Sequence, residues 1–330
     1  MDFETTTFYF PSSDGKTELY ARCAVPEGPI VGILQISHGM CEYIDRYEEV
    51  FSYFARRGFL VCGHDHLGHG KSAKNDQLGF FAEKDGASCL VEDLHRMTLE
   101  IKSRYAPAPY FLLGHSMGSF IARAYLSKYG SELTGVILSG TGGPNPAAPM
   151  GIALANTISM VRGARHPSHT LDQMAFGSFN RRCQPRRTSK DWLSRDNAVV
   201  DRYLKDPYCM FTFSASAFRD LFTLNHQVNS RDWAQSIPQK LPIYLLSGDM
   251  DPVGDYGEGI RHVYRMLKKE GVYHITMRLY PGGRHEMFNE INRLQVFGDL
   301  YAWLCRRCEN VQQSPEGPDA VLKAKDSEEL

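Results

Sequence analysis

Apolar and polar residues alternate from Thr5 to Phe10 and again from Thr17 to Val25, with a PSSDG turn between them, which predicts an opening antiparallel hairpin. Beyond it, continuous apolar runs rich in β-branched residues alternate with helical periodicity. Val31 to Ser37 precedes a helix from Arg46 to Arg57, and Phe59 to His64 precedes one from Ala87 to Tyr105. Tyr110 to His115, a helix from Met117 to Lys128 and Val136 to Gly140 continue the rhythm. Repetition of this kind predicts a mainly parallel, doubly wound sheet with helices on both faces.

The rhythm breaks near Gly142, and no buried-strand pattern returns before Gln235, so a helical insertion is expected after the sixth strand. Strand Leu241 to Leu246, helix Gly257 to Glu270, strand His274 to Tyr280 and an amphipathic helix from Phe288 to Arg307 complete eight strands in all. The ending QQSPEGPDAVLKAKDSEEL is polar and Pro-containing and is expected to fray. The predicted organisation is a core of residues 1–141 and 236–310, a helical cap of residues 142–235 and a flexible C-terminal tail of residues 311–330.

Composition adds little to this pattern but removes some functions. With 330 residues, 42% apolar and 23% charged, the chain can bury a full core as one large domain with an insertion. Its 37 basic and 38 acidic residues leave a net charge of -1, so no global field would draw nucleic acid, and no nucleic-acid partner is expected. The eight cysteines, at 23, 41, 62, 89, 183, 209, 305 and 308, are scattered and read as free thiols of a reducing compartment. The N-terminus lacks a basic stretch followed by an apolar one, and no segment approaches the roughly 18 apolar residues of a membrane span, so a cytoplasmic location is expected.

Candidate chemistry starts at Gly114-His115-Ser116-Met117-Gly118, a G-x-S-x-G at a strand-to-helix junction. On so sharp a turn the Ser116 hydroxyl is presented as a nucleophile, and the N–H of Met117 points where an oxyanion would form. A serine alone is weak, so a base and a group to orient it are needed. This topology supplies them in the order serine, acid, histidine, each after a later strand. Of the twelve histidines, only His285 follows the final strand and precedes the terminal helix. Asp249, Asp251 and Asp255 all lie near the end of the preceding strand and are candidates for the acid. A second oxyanion donor is expected from ISHGMCEY, where a tight His38-Gly39 turn leaves the Met40 N–H free.

Taken together, SHGMCEYIDRY, CGHDHLGHGKS, LLGHSMGS, SGDMDPV and RHEMFNE resemble the monoacylglycerol lipase and lysophospholipase branch of the α/β-hydrolases, also described as serine aminopeptidase-like. The resemblance runs from about Val31 to Arg307, the cap excepted. It implies the α/β-hydrolase fold, an eight-stranded mostly parallel sheet flanked by helices with a helical cap insertion. It also implies hydrolysis of carboxylic esters through an acyl-enzyme, with no cofactor and no metal. In that branch the acid lies three residues after a glycine, which matches Gly248 to Asp251, and the oxyanion residue after His-Gly matches Met40. The implied catalytic set is Ser116, Asp251 and His285, with Met40 and Met117 as oxyanion donors. Two positions depart from the pattern: Ser119, where the branch often has glycine, and Leu67, where the wider fold has arginine.

Other readings of the same residues are weaker. His64, Asp65, His66 and His69 are in the wrong order for a common metal site, and Gly68 and Gly70 suit a tight turn. Cys305 and Cys308 lack a second pair, and Cys41 is assigned no catalytic role. From Gly143 to Gln235 stand twelve Arg or Lys against seven Asp and no Glu, an excess suited either to anionic lipid interfaces or to a solvated helical surface. Uncharged Ala147 to Val161 is a candidate wall for an acyl chain, a transient membrane contact or a cap-to-core packing segment. A peptidase would need a cap acid to hold a substrate amine, for which Asp172, Asp191, Asp196, Asp201 and Asp220 are available. The expected substrate is a glycerol monoester or lysophospholipid with one medium or long acyl chain. A general short-chain carboxylesterase and an aminopeptidase of the same fold are the alternatives; a non-catalytic binding protein would lack one of the three catalytic residues.

Overall fold

The computed structural model describes residues 1–73 and 77–312. Strands β1 (Phe3–Pro11), β2 (Glu18–Pro26) and β3 (Gly32–Ser37) are followed by helix α1 (Glu48–Ala55), strand β4 (Phe59–His64), helix α2 (Gly86–Arg104), strand β5 (Tyr110–His115), helix α3 (Met117–Tyr129) and strand β6 (Gly135–Ser139). Helices α4 (Ala148–Arg162), α5 (His169–Phe176), α6 (Asn197–Lys205), α7 (Ala215–Val228) and α8 (Arg231–Ser236) come next. Strand β7 (Ile243–Gly248), helix α9 (Glu258–Lys269), strand β8 (Ile275–Tyr280) and helix α10 (Arg293–Gln312) close the chain. Residues 311 and 312 of the expected tail end α10, and the rest of it lies outside the described residues.

The strands form one eight-stranded sheet in the order β1-β2-β4-β3-β5-β6-β7-β8. β1 and β2 pair antiparallel, β2 pairs antiparallel with β4, and every other pairing is parallel. Every residue of β3 to β7 is buried, as expected for strands covered on both faces. Successive residues go to opposite faces: Tyr110 and Leu112 of β5 join Leu94 and Met97 of α2, Tyr125 of α3 and Val263 of α9. Phe111 and Leu113 join Phe51 and Phe54 of α1 and Leu300 and Trp303 of α10 on the other side.

The last helix begins later than its apolar periodicity suggests, at Arg293 instead of Phe288. Fully buried Glu290 accepts from the N–H groups of Arg284 (3.0 Å), Arg195 (3.0 Å) and Ile291 (2.9 Å), which pins the chain to two loops before it can enter a helix.

All five helices α4 to α8 lie between β6 and β7. A single buried guanidinium ties both ends of this insertion: Arg123 of α3 donates to the carbonyl of Gly142 (3.0 Å), to that of Val228 and to Asn229 Oδ1 (2.9 Å). Among the described residues no carboxylate bonds it, and burial pulls its pKa down to about 9. Helix α4 rests on α7 through small residues, with the Phe222 ring where a Cβ on Gly151 would stand, at 2.9 Å. Ala148, Gly151 and Ala155 of α4 are buried and Leu154 and Ile158 pack half-buried against the core, while Met150, Met160 and Val161 are exposed.

The parallel register aligns the carboxyl ends of the strands, pairing Ser37 with Gly114, His115 with Ser139 and Gly248 with Tyr280. The loops after β3, β5, β7 and β8 therefore open on one edge, where open α/β sheets bind ligands.

Candidate active site

Ser116 sits between β5 and α3 with φ 54° and ψ -120°, a conformation an L-residue adopts only under constraint. Its N–H donates to the Ser139 carbonyl (2.9 Å), while its own carbonyl accepts from the Ser119 N–H (2.9 Å) and the Ser119 hydroxyl (2.6 Å). Ser119, where the resembling branch often has glycine, is thus a clamp on the turn. The elbow also needs Gly118, since a Cβ there would stand 2.0 Å from the Ser37 carbonyl oxygen.

His285 and Asp251 meet from the loops after β8 and β7, with His285 Nδ1 2.9 Å from Asp251 Oδ1. The Val253 N–H donates to that oxygen and the Ser247 hydroxyl to Oδ2, each at 2.9 Å. Both residues are buried. Burial pulls His285 toward neutrality, but the Asp251 carboxylate and its hydrogen bond, with Glu286 and Glu42 behind them, leave its pKa above the ordinary imidazole value. Asp249 is turned away and accepts instead from the Gly282 N–H (2.7 Å), and Asp255 is exposed. No hydrogen bond joins Ser116 Oγ to His285 among the described residues; in unliganded sites this link often forms only around substrate.

Met40 and Met117 line the same cavity as Ser116 and His285, and among the described residues neither backbone N–H has an acceptor. Glu42 braces the turn before Met40 by accepting from the Gly39 N–H and from the Tyr47 hydroxyl (2.8 Å). Arg46 then bridges Glu42 (2.9 Å) to Glu286 (2.9 Å), beside His285. Burial pushes Glu42 up, while Glu286, against the same burial, is held below the usual carboxylate range by Arg46.

The cavity measures about 550 Å³. Phe120, Phe176, Phe179, Trp192, Leu193, Leu221 and Phe222 give it an apolar wall, while Asp172, Lys190, Asp255, Glu258 and Arg265 add charge. Trp192 lies against the His285 ring at 5.1 Å, and Leu193 accepts from the Glu286 N–H (2.7 Å), so the insertion holds the histidine loop from above. One expectation is corrected: no residue from Ala147 to Val161 lines the cavity, because α4 packs Ala148, Gly151, Ala155, Leu154 and Ile158 toward α7 and the core and leaves Met150, Met160 and Val161 exposed. Of the five aspartates between β6 and β7 considered for amine binding, only Asp172 lines the cavity, with Lys190 on the same lining.

His38 and His69 each bond the turn around Met40 through one ring nitrogen and the loop after β4 through the other, and all eight cysteines are free. Sequence reasoning missed Glu42, Arg46, Glu286, Ser247 and Trp192. The first three stand among other charged and polar residues in SHGMCEYIDRY and RHEMFNE, where nothing local marks them as partners.

The profile of the family described as serine aminopeptidase, S33, matches residues 28–292. The chain is 29% identical over 285 residues to a monoacylglycerol lipase of Mycolicibacterium smegmatis, covering 83% of this chain and 88% of that one. It is 25% identical over 302 residues to the monoglyceride lipase of Rattus norvegicus, covering 90% and 89% respectively. A thermostable carboxyl esterase from Bacillus coagulans, solved in complex with glycerol, is similar in structure with a TM-score of 0.87 and 31% identity, covering 93% of this chain and 99% of that one.

Proposed function

The chain belongs to the serine aminopeptidase S33 family of α/β-hydrolases and is a serine ester hydrolase, and within that class we propose that it cleaves single-chain glycerol monoesters or lysophospholipids through an acyl-enzyme. The observation that carries this reading is Ser116 on a strained elbow, opening into a cavity with His285 and an aromatic wall. In the proposed mechanism His285 Nε2 takes the Ser116 proton as the hydroxyl attacks the ester carbonyl, then returns it to the leaving alcohol. Asp251 fixes the imidazole tautomer and stabilises its cationic form. The Met40 and Met117 N–H groups hold the oxyanion. Water, activated by His285, releases the fatty acid.

The lipase names of the similar proteins support one acyl chain, and a cavity of about 550 Å³ suits one better than three. We assign residues 142–235 the part of a cap, whose α5 and α7 supply the acyl wall through Phe176, Leu221 and Phe222. Helix α4 is read as the lipid-facing element, since Met150 is exposed on it and Met160 and Val161 are exposed next to Arg162 in the chain. Among the described residues no helix is long and apolar enough to cross a membrane, and the free thiols suit the cytoplasmic location proposed. Fluorophosphonate labelling that maps to Ser116, with turnover of monoacylglycerols well above that of amino-acid p-nitroanilides, tests the reading. Preferred cleavage of the anilides would move Asp172 into an amine-binding role and defeat it.

A further inference from the structure

A neutral imidazole that accepts at one ring nitrogen must carry its proton on the other. His38 Nε2 accepts from the His66 N–H at 2.9 Å, so Nδ1 is the donor to the Gly39 carbonyl at 2.8 Å. His69 Nε2 accepts from the Cys41 N–H at 3.3 Å, so Nδ1 donates to the Leu67 carbonyl at 3.0 Å. Both rings are fully buried. Burial holds His38 well below the ordinary imidazole range and pulls His69 down to about 4, so both remain neutral at physiological pH.

The His38 bond to the Gly39 carbonyl and the His69 bond from the Cys41 N–H sit on the two peptide groups that flank Met40. The Gly39 carbonyl and the Met40 N–H belong to the same trans plane, where they point in opposite directions. Fixing the carbonyl on His38 therefore fixes the direction of the N–H. The next residue, Cys41, holds a left-handed φ of 55°, costly for a side chain with a Cβ, and its N–H is the one that His69 receives. The turn lies hard against the nucleophile: a Cβ on Gly39 would stand 3.0 Å from Ser116 Cβ.

We propose that His38 and His69 are positioning residues that, locked as neutral Nδ1–H tautomers, aim the Met40 N–H at the oxyanion; this rests on the reading of Met40 as a donor. Neither ring touches substrate. Their requirements differ atom by atom, since His38 must donate from the Nδ1 position and His69 must accept at the Nε2 position. An asparagine amide reaches the first position and a glutamine amide the second.

The test is a crossed set of amide variants in the full chain, with kcat and KM measured on a monoacylglycerol and folding followed by thermal melts. H38N and H69Q should keep kcat within about fivefold of wild type, while H38Q and H69N should lose about 30- to 100-fold in kcat with KM changed less than about threefold, the scale of a misdirected oxyanion donor. If asparagine and glutamine are equivalent at each position, or if the losses follow Tm, the rings only fill space and the inference fails, while wild-type ester turnover leaves the hydrolase reading standing. The tautomers can be read without turnover by 15N NMR of histidine-labelled protein. An Nε2–H form at either ring overturns the proposal even if the enzyme proves inactive on esters.

Discussion

Asp251 receives His285 Nδ1 on one carboxylate oxygen at 2.9 Å and the Ser247 hydroxyl on the other at 2.9 Å, whereas Asp249, two residues earlier, holds only the Gly282 N–H among the described residues. The chain thus places two carboxylates at the end of β7 and directs one inward. Asp251→Asn should lower kcat by roughly 10⁴-fold, because an amide favours the wrong histidine tautomer. Asp249→Asn should cost less than about tenfold, chiefly through a looser loop. Steady-state kinetics on a p-nitrophenyl ester decide between them, and the reverse ranking would transfer the role to Asp249.

The same contact predicts a pH dependence. Protonated His285 cannot act as a base, and the Asp251 carboxylate favours that form, so the acid limb of kcat/KM should have its midpoint above the ordinary value of about 6.5. Burial pushes His64 and His115 down to about 3, and His38 and His66 well below the ordinary range, so none of these titrates in that window. In Asp251→Asn, burial loses its main opponent and the limb should move to lower pH, as read from fluorophosphonate labelling rates. Because folding raises this pKa, its contribution to stability is complete below the unfolded value and is lost as pH rises through the folded one. An acid limb that stays put in Asp251→Asn would separate Asp251 from the titrating base.

The elbow and the sheet were legible in the sequence because their signals are local: an apolar run, a glycine pair and a helical repeat within a few residues. The Arg46 to Glu286 contact spans 240 residues, and no periodicity announces a partner at that distance. Ala147 to Val161 shows the opposite failure, since its lack of charge was plain but the face it would bury was not. The small residues Ala148, Gly151 and Ala155 decide that, by letting α4 approach α7 and sending Met150 and Met160 outward.

Ser119 offers a test of the strained turn. Its hydroxyl donates to the Ser116 carbonyl at 2.6 Å, and one such bond contributes about 1 kcal/mol. Ser119→Ala should therefore lower stability by about that amount and slow fluorophosphonate labelling by roughly fivefold, with KM almost unchanged. Wild-type labelling in the alanine variant would show that the backbone holds the elbow unaided.

The outward face of α4 can be tested apart from the chemistry. Replacing Met160 and Val161, which are 85% and 76% exposed, by glutamate should leave turnover of soluble p-nitrophenyl butyrate intact. On monoolein in anionic phospholipid vesicles, kcat/KM should fall by about 30-fold, since even partial immersion of each of the two side chains is worth ~1 kcal/mol. Equal rates on both substrates would remove α4 from the interface.

Chain length tests the substrate assignment most directly. Leu221 and Phe222 of α7 help form the apolar wall of the cavity that holds Ser116. Each methylene buried against such a wall is worth about 0.8 kcal/mol, so kcat/KM should rise roughly threefold to fourfold per carbon until the space is full. Leu221→Trp fills part of it and should move the optimum to a shorter chain, lowering kcat/KM for long monoacylglycerols while sparing butyrate. A series from C2 to C18, run on wild type and variant together, separates two causes of a poor long-chain rate. If wild type rises with length and the variant stops early, α7 forms the acyl site. If wild type instead declines steadily from C2 to C8, the apolar wall serves packing alone, and the enzyme is a short-chain esterase.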